Sequence, residues 1–328
     1  MFLSLIYMDL FFLILGVVLV LWGADKLTDG ATGLARRFQV NDLVIGLTVV
    51  AFGTSLPEFV TSLFAAIKGS SAISLGNVIG SNIFNTLVIV GMTALTRPIW
   101  VSKSTLAKDI PFALLSSLVF GVLCLDLWFN ATDENYISRG DGLILLFFFV
   151  IFMYYTFSIA RNKNEGEQVT EASLVQEASM PYWKIGLYIV LGLVGLVLGG
   201  NLFVSGASGI AADLGVSEAV IGLTLVAGGT SLPELATSIV AAKKGNSAIA
   251  IGNVIGSNIF NVFFVLGICS FISPMNATSV SLTDIFILIF SMLLMWGFAS
   301  TSRKISRWEG LVMVVLYCSY VTYLILNL

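Results

Sequence analysis

Two glutamates, Glu58 and Glu234, each close the hexapeptide Gly-Thr-Ser-Leu-Pro-Glu within long apolar stretches of the chain. A carboxylate at bilayer depth is costly unless it is partnered, so an intramembrane acid marks function by default. The preceding residues, Pro57 and Pro233, carry no N–H, which leaves the carbonyls of Gly53 and Gly229 without helical partners. The resulting kinks are expected to loosen the neighbouring carbonyls of Ala51, Thr54, Ala227 and Thr230 as well. Such backbone is tolerated at membrane depth only where it lines protein or a water-filled cavity. With the hydroxyls of Thr54, Ser55, Thr230 and Ser231, the carbonyls and carboxylates form an all-oxygen surface. Hard cations such as Ca²⁺ and Na⁺ favour that chemistry.

Each hexapeptide is followed by Gly-Asn-Val-Ile-Gly-Ser-Asn-Ile-Phe-Asn, at 76–85 and again at 252–261. Asn77, Ser81 and Asn85 recur every fourth residue and so share one helical face, as do Asn253, Ser257 and Asn261. Ser81, Asn85, Ser257 and Asn261 read as ligands facing the glutamates, whereas Asn82 and Asn258 read as polar contacts between helices. Gly76 with Gly80, and Gly252 with Gly256, make strips of small residues that permit close helix approach.

The elements carrying these residues must cross a membrane. The 328 residues are 57% hydrophobic and 11% charged, with a mean hydropathy of +0.98; soluble domains carry about a quarter charged residues. A net charge of −3 argues against a nucleic-acid binder. The chain has no histidine, which removes histidine metal sites, general bases and proton relays together. Cys124, Cys269 and Cys318 stand far apart in apolar runs and read as buried thiols. A span needs about 20 largely apolar residues. Ten such stretches are centred near residues 18, 50, 87, 118, 149, 194, 226, 263, 290 and 318, the first read as a retained helix. Of the 16 basic residues, 14 fall in loops after odd-numbered spans, and only Lys68 and Arg139 in the others. The positive-inside rule then makes the odd loops cytoplasmic and both termini extracytoplasmic. Asp25 and Asp29 fall near the cytoplasmic end of the first span.

The chain also contains itself twice. Residues 44–85 match 220–261 at a constant offset of 176, with 32 of 42 positions identical and no gap. Weaker correspondences pair Gly30 with Gly206 and Pro98 with Pro274, and Arg139-Gly-Asp-Gly echoes Arg307-Trp-Glu-Gly at a shorter offset. Five spans per half, an odd number, require the second copy to lie upside down: an all-α membrane protein of two inverted five-helix repeats with broken helices meeting at the midplane. Residues 1–160 form the first repeat (core about 44–91), and 183–328 the second (core about 220–267). Residues 161–182, with Glu165, Glu167, Glu171 and Glu177, read as a solvated cytoplasmic linker.

On these residues the chain resembles the cation/Ca²⁺ exchanger superfamily, and within it the prokaryotic Na⁺/Ca²⁺ exchangers; the paired GTSLPE and GSNIFN segments look like that family's two α-repeats. The resemblance implies Na⁺/Ca²⁺ antiport by alternating access across the cell membrane, with Ca²⁺ and Na⁺ as transported ions, no cofactor and no obligate protein partner. It implies Glu58 and Glu234 as principal Ca²⁺ ligands, helped by the carbonyls of Thr54 and Thr230. Ser55, Ser231, Ser81, Ser257 and the carbonyls of Ala51 and Ala227 would complete flanking Na⁺ sites, and Asn85 and Asn261 the centre. Some members, K⁺-dependent exchangers among them, have an aspartate where this chain has Asn261, which leaves two formal negative charges and disfavours K⁺ dependence. Ca²⁺/H⁺ antiport is the alternative. An intramembrane hydrolase would need a base beside Ser55 or Ser231; there is no histidine, and every lysine lies in or near a loop.

Overall fold

The computed structural model describes residues 2–125, 135–161, 180–213 and 227–326. Most of the predicted linker, and the beginning of the stretch centred near 226, lie outside them. The helices are α1 (Phe2–Phe38), α2 (Asp42–Thr54), α3 (Leu56–Ile67), α4 (Ser71–Thr96), α5 (Thr105–Leu123) and α6 (Arg139–Arg161). They continue as α7 (Tyr182–Asp213), α8 (Ala227–Thr230), α9 (Leu232–Lys243), α10 (Ser247–Ile272), α11 (Leu282–Ser302) and α12 (Arg307–Leu326). Among the described residues, eight helices are long and apolar enough to cross a membrane; α2 and α3 add a ninth span, bent by 48°. The chain is an all-helical, multi-pass membrane protein.

The helices that carry the two decapeptides, α4 and α10, are the most enclosed of the spans, and α12 the least. Around them, α1 and α7 pack backbone to backbone along a seam of glycines. A Cβ at Gly16 would meet the Gly199 carbonyl at 2.8 Å; at Gly23, the Gly192 carbonyl at 2.8 Å; at Gly30, the Ile189 backbone nitrogen at 3.0 Å. This order of contacts makes the two helices antiparallel. The glycines recur every seventh residue, at 16, 23 and 30 and at 192, 199 and 206, each pair separated by 176. Seven residues is close to two helical turns, so the three glycines share a face and no side chain holds the helices apart.

Gly252 and Gly256 meet the expected close approach: their Cβ positions lie 3.0 and 2.6 Å from the carbonyls of Leu43 and Leu47 on α2. For Gly76 and Gly80 nothing described lies within 4 Å, and the repeat-mates of Leu43 and Leu47 fall outside the described residues.

Two short antiparallel clips tie the halves together. β1 (Ile99–Trp100) pairs with β4 (Lys304–Ile305), and β2 (Tyr136–Ile137) with β3 (Met275–Asn276). The echo between Arg139-Gly-Asp-Gly and Arg307-Trp-Glu-Gly has a local cause. Asp141 and Glu309 each accept hydrogen bonds from the backbone and hydroxyl of the serine three residues earlier, Ser138 and Ser306, at 2.7–2.8 Å. Both are helix-starting capping arrangements. Cys124 and Cys269 are buried as expected, but Cys318 is exposed on the outer face of α12, because α12 buries only a narrow stripe against the bundle.

Candidate functional site

Both GTSLPE segments break their helix at the serine. Ser55 has φ −84° and ψ 7°, and Ser231 φ −90° and ψ 7°, after which a new helix starts with proline in its first turn. Proline is well placed there, since its missing N–H would have no helical partner anyway. The expected loosening of the Ala51 carbonyl is corrected by the structure: it accepts the Ser55 N–H at 3.0 Å, because the chain stays helical through Thr54 and departs only at Ser55. A carbonyl has two lone pairs, so one of them remains.

The breaks place Glu58 and Glu234 in the first turns of α3 and α9, where the helix N-terminus favours negative charge. Both side chains are fully buried. Each accepts a hydroxyl from the opposite half: Ser55 donates to Glu234 Oε1 at 2.8 Å, and Ser231 donates to Glu58 Oε1 at 2.9 Å. These bonds exchange under the 176-residue offset. Thr54 and Ser257 also flank Glu234, and Thr230 flanks Glu58, while the two carboxylates lie near enough to repel.

A brace behind each acid was not assigned from the sequence. Asn77 donates to the Glu58 carbonyl at 3.1 Å and to Ser62 at 2.9 Å; Asn253 donates to the Glu234 carbonyl at 3.3 Å and to Ser238 at 3.0 Å. Thr54 adds a bond to Asn253 Oδ1 at 3.1 Å. The signal was present, since Asn77, Ser62 and their mates at 253 and 238 all fall within the identical positions of the repeat. Asn82 and Asn258 join the halves, as expected of polar contacts, through the bond from Asn82 Nδ2 to the Asn258 carbonyl at 3.1 Å.

Buried polar atoms are nearly always paired. Among the described residues 13 side-chain polar atoms are buried without a protein partner, and seven belong to six of the predicted ligands. These are Glu58 Oε2, Glu234 Oε2, the Ser81 and Ser257 hydroxyls, both polar atoms of Asn85, and Asn261 Oδ1. Ser81, Asn85 and Asn261 make no hydrogen bond to either glutamate, whereas Ser55 and Ser231 do. The side chain of Ala227 lies outside what is described. Among the described residues no three histidine, cysteine or acidic side chains come together, so the centre rests on two carboxylates with hydroxyl and amide oxygens. Unpaired oxygens of this kind, around two carboxylates, suit hydrated cations being stripped of water.

A duplicated, multi-pass helical membrane protein with a buried oxygen centre shared by both copies is of the ion-transporter class. A family model described as "Sodium/calcium exchanger protein" matches residues 8–158 and 184–326, and the chain belongs to that family. The sodium/calcium exchanger MaX1 of Methanosarcina acetivorans is 33% identical over 341 residues, covering 95% of this chain and 97% of that protein. The inner membrane protein YrbG of Escherichia coli is 38% identical over 268 residues, 80% of this chain and 79% of that protein. A solved structure of the sodium-calcium exchanger NCX_Mj, soaked without Na⁺ or Ca²⁺, superimposes with a TM-score of 0.82 at 35% identity, covering 97% of this chain and 99% of that one.

Proposed function

We propose that this protein is an antiporter that exchanges Na⁺ for Ca²⁺ across the cell membrane by alternating access, both ions competing for one oxygen-lined site at the midplane. The observation that carries the reading is the reciprocal pair of serine-to-glutamate bonds with an unpartnered oxygen left on each carboxylate. Glu58 and Glu234 are the central Ca²⁺ ligands with the carbonyls of Thr54 and Thr230; Asn85 and Asn261 complete the centre. Ser55, Ser231, Ser81, Ser257 and the carbonyls of Ala51 and Ala227 serve flanking Na⁺ sites. Two carboxylates neutralise one Ca²⁺ or two Na⁺, and shared ligands make occupancy by one ion exclude the other. An empty pair of bare carboxylates is too costly to occlude, so the carrier turns over only when loaded.

The architecture proposed is ten spans in two inverted five-helix repeats, residues 1–160 and 183–328, joined by a cytoplasmic linker. Contacts between loops support the alternation. Asp42, at the start of α2, accepts from Asn246 in the α9–α10 turn at 2.7 Å, and Arg97 reaches the Lys243 carbonyl at 3.3 Å. β1 with β4 joins two odd loops, and β2 with β3 two even loops. Every one of these contacts stays on one side of the membrane in the ten-span count. The antiparallel α1–α7 seam, between repeat-mates, is what inversion requires.

The test is ⁴⁵Ca²⁺ uptake into proteoliposomes loaded with Na⁺, against vesicles with a pH gradient instead. Uptake driven by the Na⁺ gradient, and lost in both Glu58→Gln and Glu234→Gln, is the expected result. Uptake driven by pH alone would assign Ca²⁺/H⁺ exchange, and wild-type uptake in both variants would remove the site.

A further inference from the structure

The two central asparagines are held differently. The Asn258 backbone carbonyl can only accept, so the Asn82 atom 3.1 Å from it is the amide nitrogen. That fixes the orientation of Asn82, whose Oδ1 then faces Asn261. An acceptor there can be met only by the Asn261 nitrogen, which lies 3.1 Å away. One polar atom of Asn261 remains, Oδ1, and it is buried without a protein partner. A single backbone carbonyl thus sets two amide orientations in series.

The repeat-mate of this arrangement, Asn85 held by Asn258, is not made. Asn258 donates its Nδ2 to Thr86 Oγ1 at 2.8 Å, and Thr86 in turn donates to the Asn82 carbonyl at 2.9 Å. The repeat-mate of Thr86 is Val262, which offers no hydroxyl to do the same in the other half. As a result Asn258 Oδ1 and both polar atoms of Asn85 have no protein partner.

We propose that Asn82 is a positioning residue that holds the Asn261 amide oxygen-first toward the transported ions. The proposal rests on the reading of Asn261 as an ion ligand. It answers a chemical problem peculiar to an amide at this position. A carboxylate presents oxygen whichever way it turns, but an amide turned by half a rotation presents an N–H dipole that repels a cation. Asn82, held by Asn258, removes that second orientation at 261. Asn85 has no such guide.

Initial rates of ⁴⁵Ca²⁺ uptake into Na⁺-loaded proteoliposomes, over a range of external Ca²⁺, test this with the full chain. Asn82→Ala is expected to raise the half-saturating Ca²⁺ about fivefold, the worth of one net hydrogen bond, with the maximal rate little changed. In an Asn261→Asp background the same substitution is expected to cause no loss, since the carboxylate needs no orienting and cannot bond the Asn82 Oδ1. Unchanged half-saturation in Asn82→Ala, or an equal loss in both backgrounds, would overturn the proposal; the second result would make Asn82 part of the scaffold. Asn82→Leu, which keeps the volume, is read in the same way, and failure of both variants to assemble in either background also assigns a scaffold role. Asn261→Ala separates the two readings. If it leaves half-saturation unchanged, Asn261 is no ligand; if it weakens Ca²⁺ while Asn82→Ala does not, only the positioning role fails.

Discussion

At the scale of single residues, the site is built from one set of side chains used twice. Ser55 and Ser231 each give their only hydroxyl proton to a carboxylate in the other half. A hydrogen bond to a charged group contributes about 1.5–3 kcal/mol, so Ser55→Ala and Ser231→Ala are each expected to weaken Ca²⁺ half-saturation roughly ten- to hundredfold. The two losses should agree closely, which titrations of transport with Ca²⁺ would check; a large loss in one and none in the other would contradict a shared centre. The glutamates and hydroxyls were legible in the sequence because a charged group in an apolar run has few bland explanations, and duplication removes most of them. The Ala51 carbonyl was misjudged because proline fixes which N–H is missing, not where the backbone turns away. The braces from Asn77 to Ser62 and from Asn253 to Ser238 escaped for another reason: a polar face shows which residues point together, but not which of them bind the neighbouring helix.

At the scale of helices, the glycine seam between α1 and α7 decides how these elements behave. With Cβ positions under 3 Å from opposing backbone at Gly16, Gly23, Gly192 and Gly199, the backbones cannot accept even a methyl group without separating. Gly23→Ala or Gly199→Ala is therefore expected to destabilise the folded protein by about 1–3 kcal/mol, read as a lower Tm in detergent. Gly297→Ala on α11, where nothing lies within 4 Å, is the control and should leave Tm level or slightly raised. In the sequence only the Gly30–Gly206 correspondence stood out. The other two glycine pairs are isolated matches among dissimilar apolar residues, and their seven-residue spacing gains meaning only once two antiparallel helices share it. The β clips were invisible for a related reason, since two-residue strands have no periodicity and exist only through their partners.

At the scale of the whole molecule, the multi-pass helical class was legible from composition, and counting charges yielded the proposed ten spans and their orientation, because basic residues in loops obey a rule that is independent of packing. What counting cannot reveal is where the two halves cease to be equivalent. Lys244, in the turn between α9 and α10, bridges Asp25 at 2.7 Å and Asp29 at 2.6 Å on α1. The positions that correspond to those two aspartates in the other half hold Asn201 and Ser205, so the repeat-mate Lys68 has no matching pair of acids. Two perfectly matched repeats would make the inward-open and outward-open forms degenerate, and the resting carrier would divide its time evenly between them. In the proposed carrier the lysine and its two aspartates would lift that degeneracy from the cytoplasmic side. Partly exposed ion pairs contribute about 0.2–1 kcal/mol each, so loss of both in Lys244→Gln should shift the resting ratio by up to about thirtyfold toward the inward-open form. Half-saturation by external Ca²⁺ in right-side-out vesicles should rise accordingly, while half-saturation from the cytoplasmic face falls; equal values before and after would show no contribution of the bridge to the bias. A duplicated transporter would thus owe a directional preference to positions at which its copies disagree.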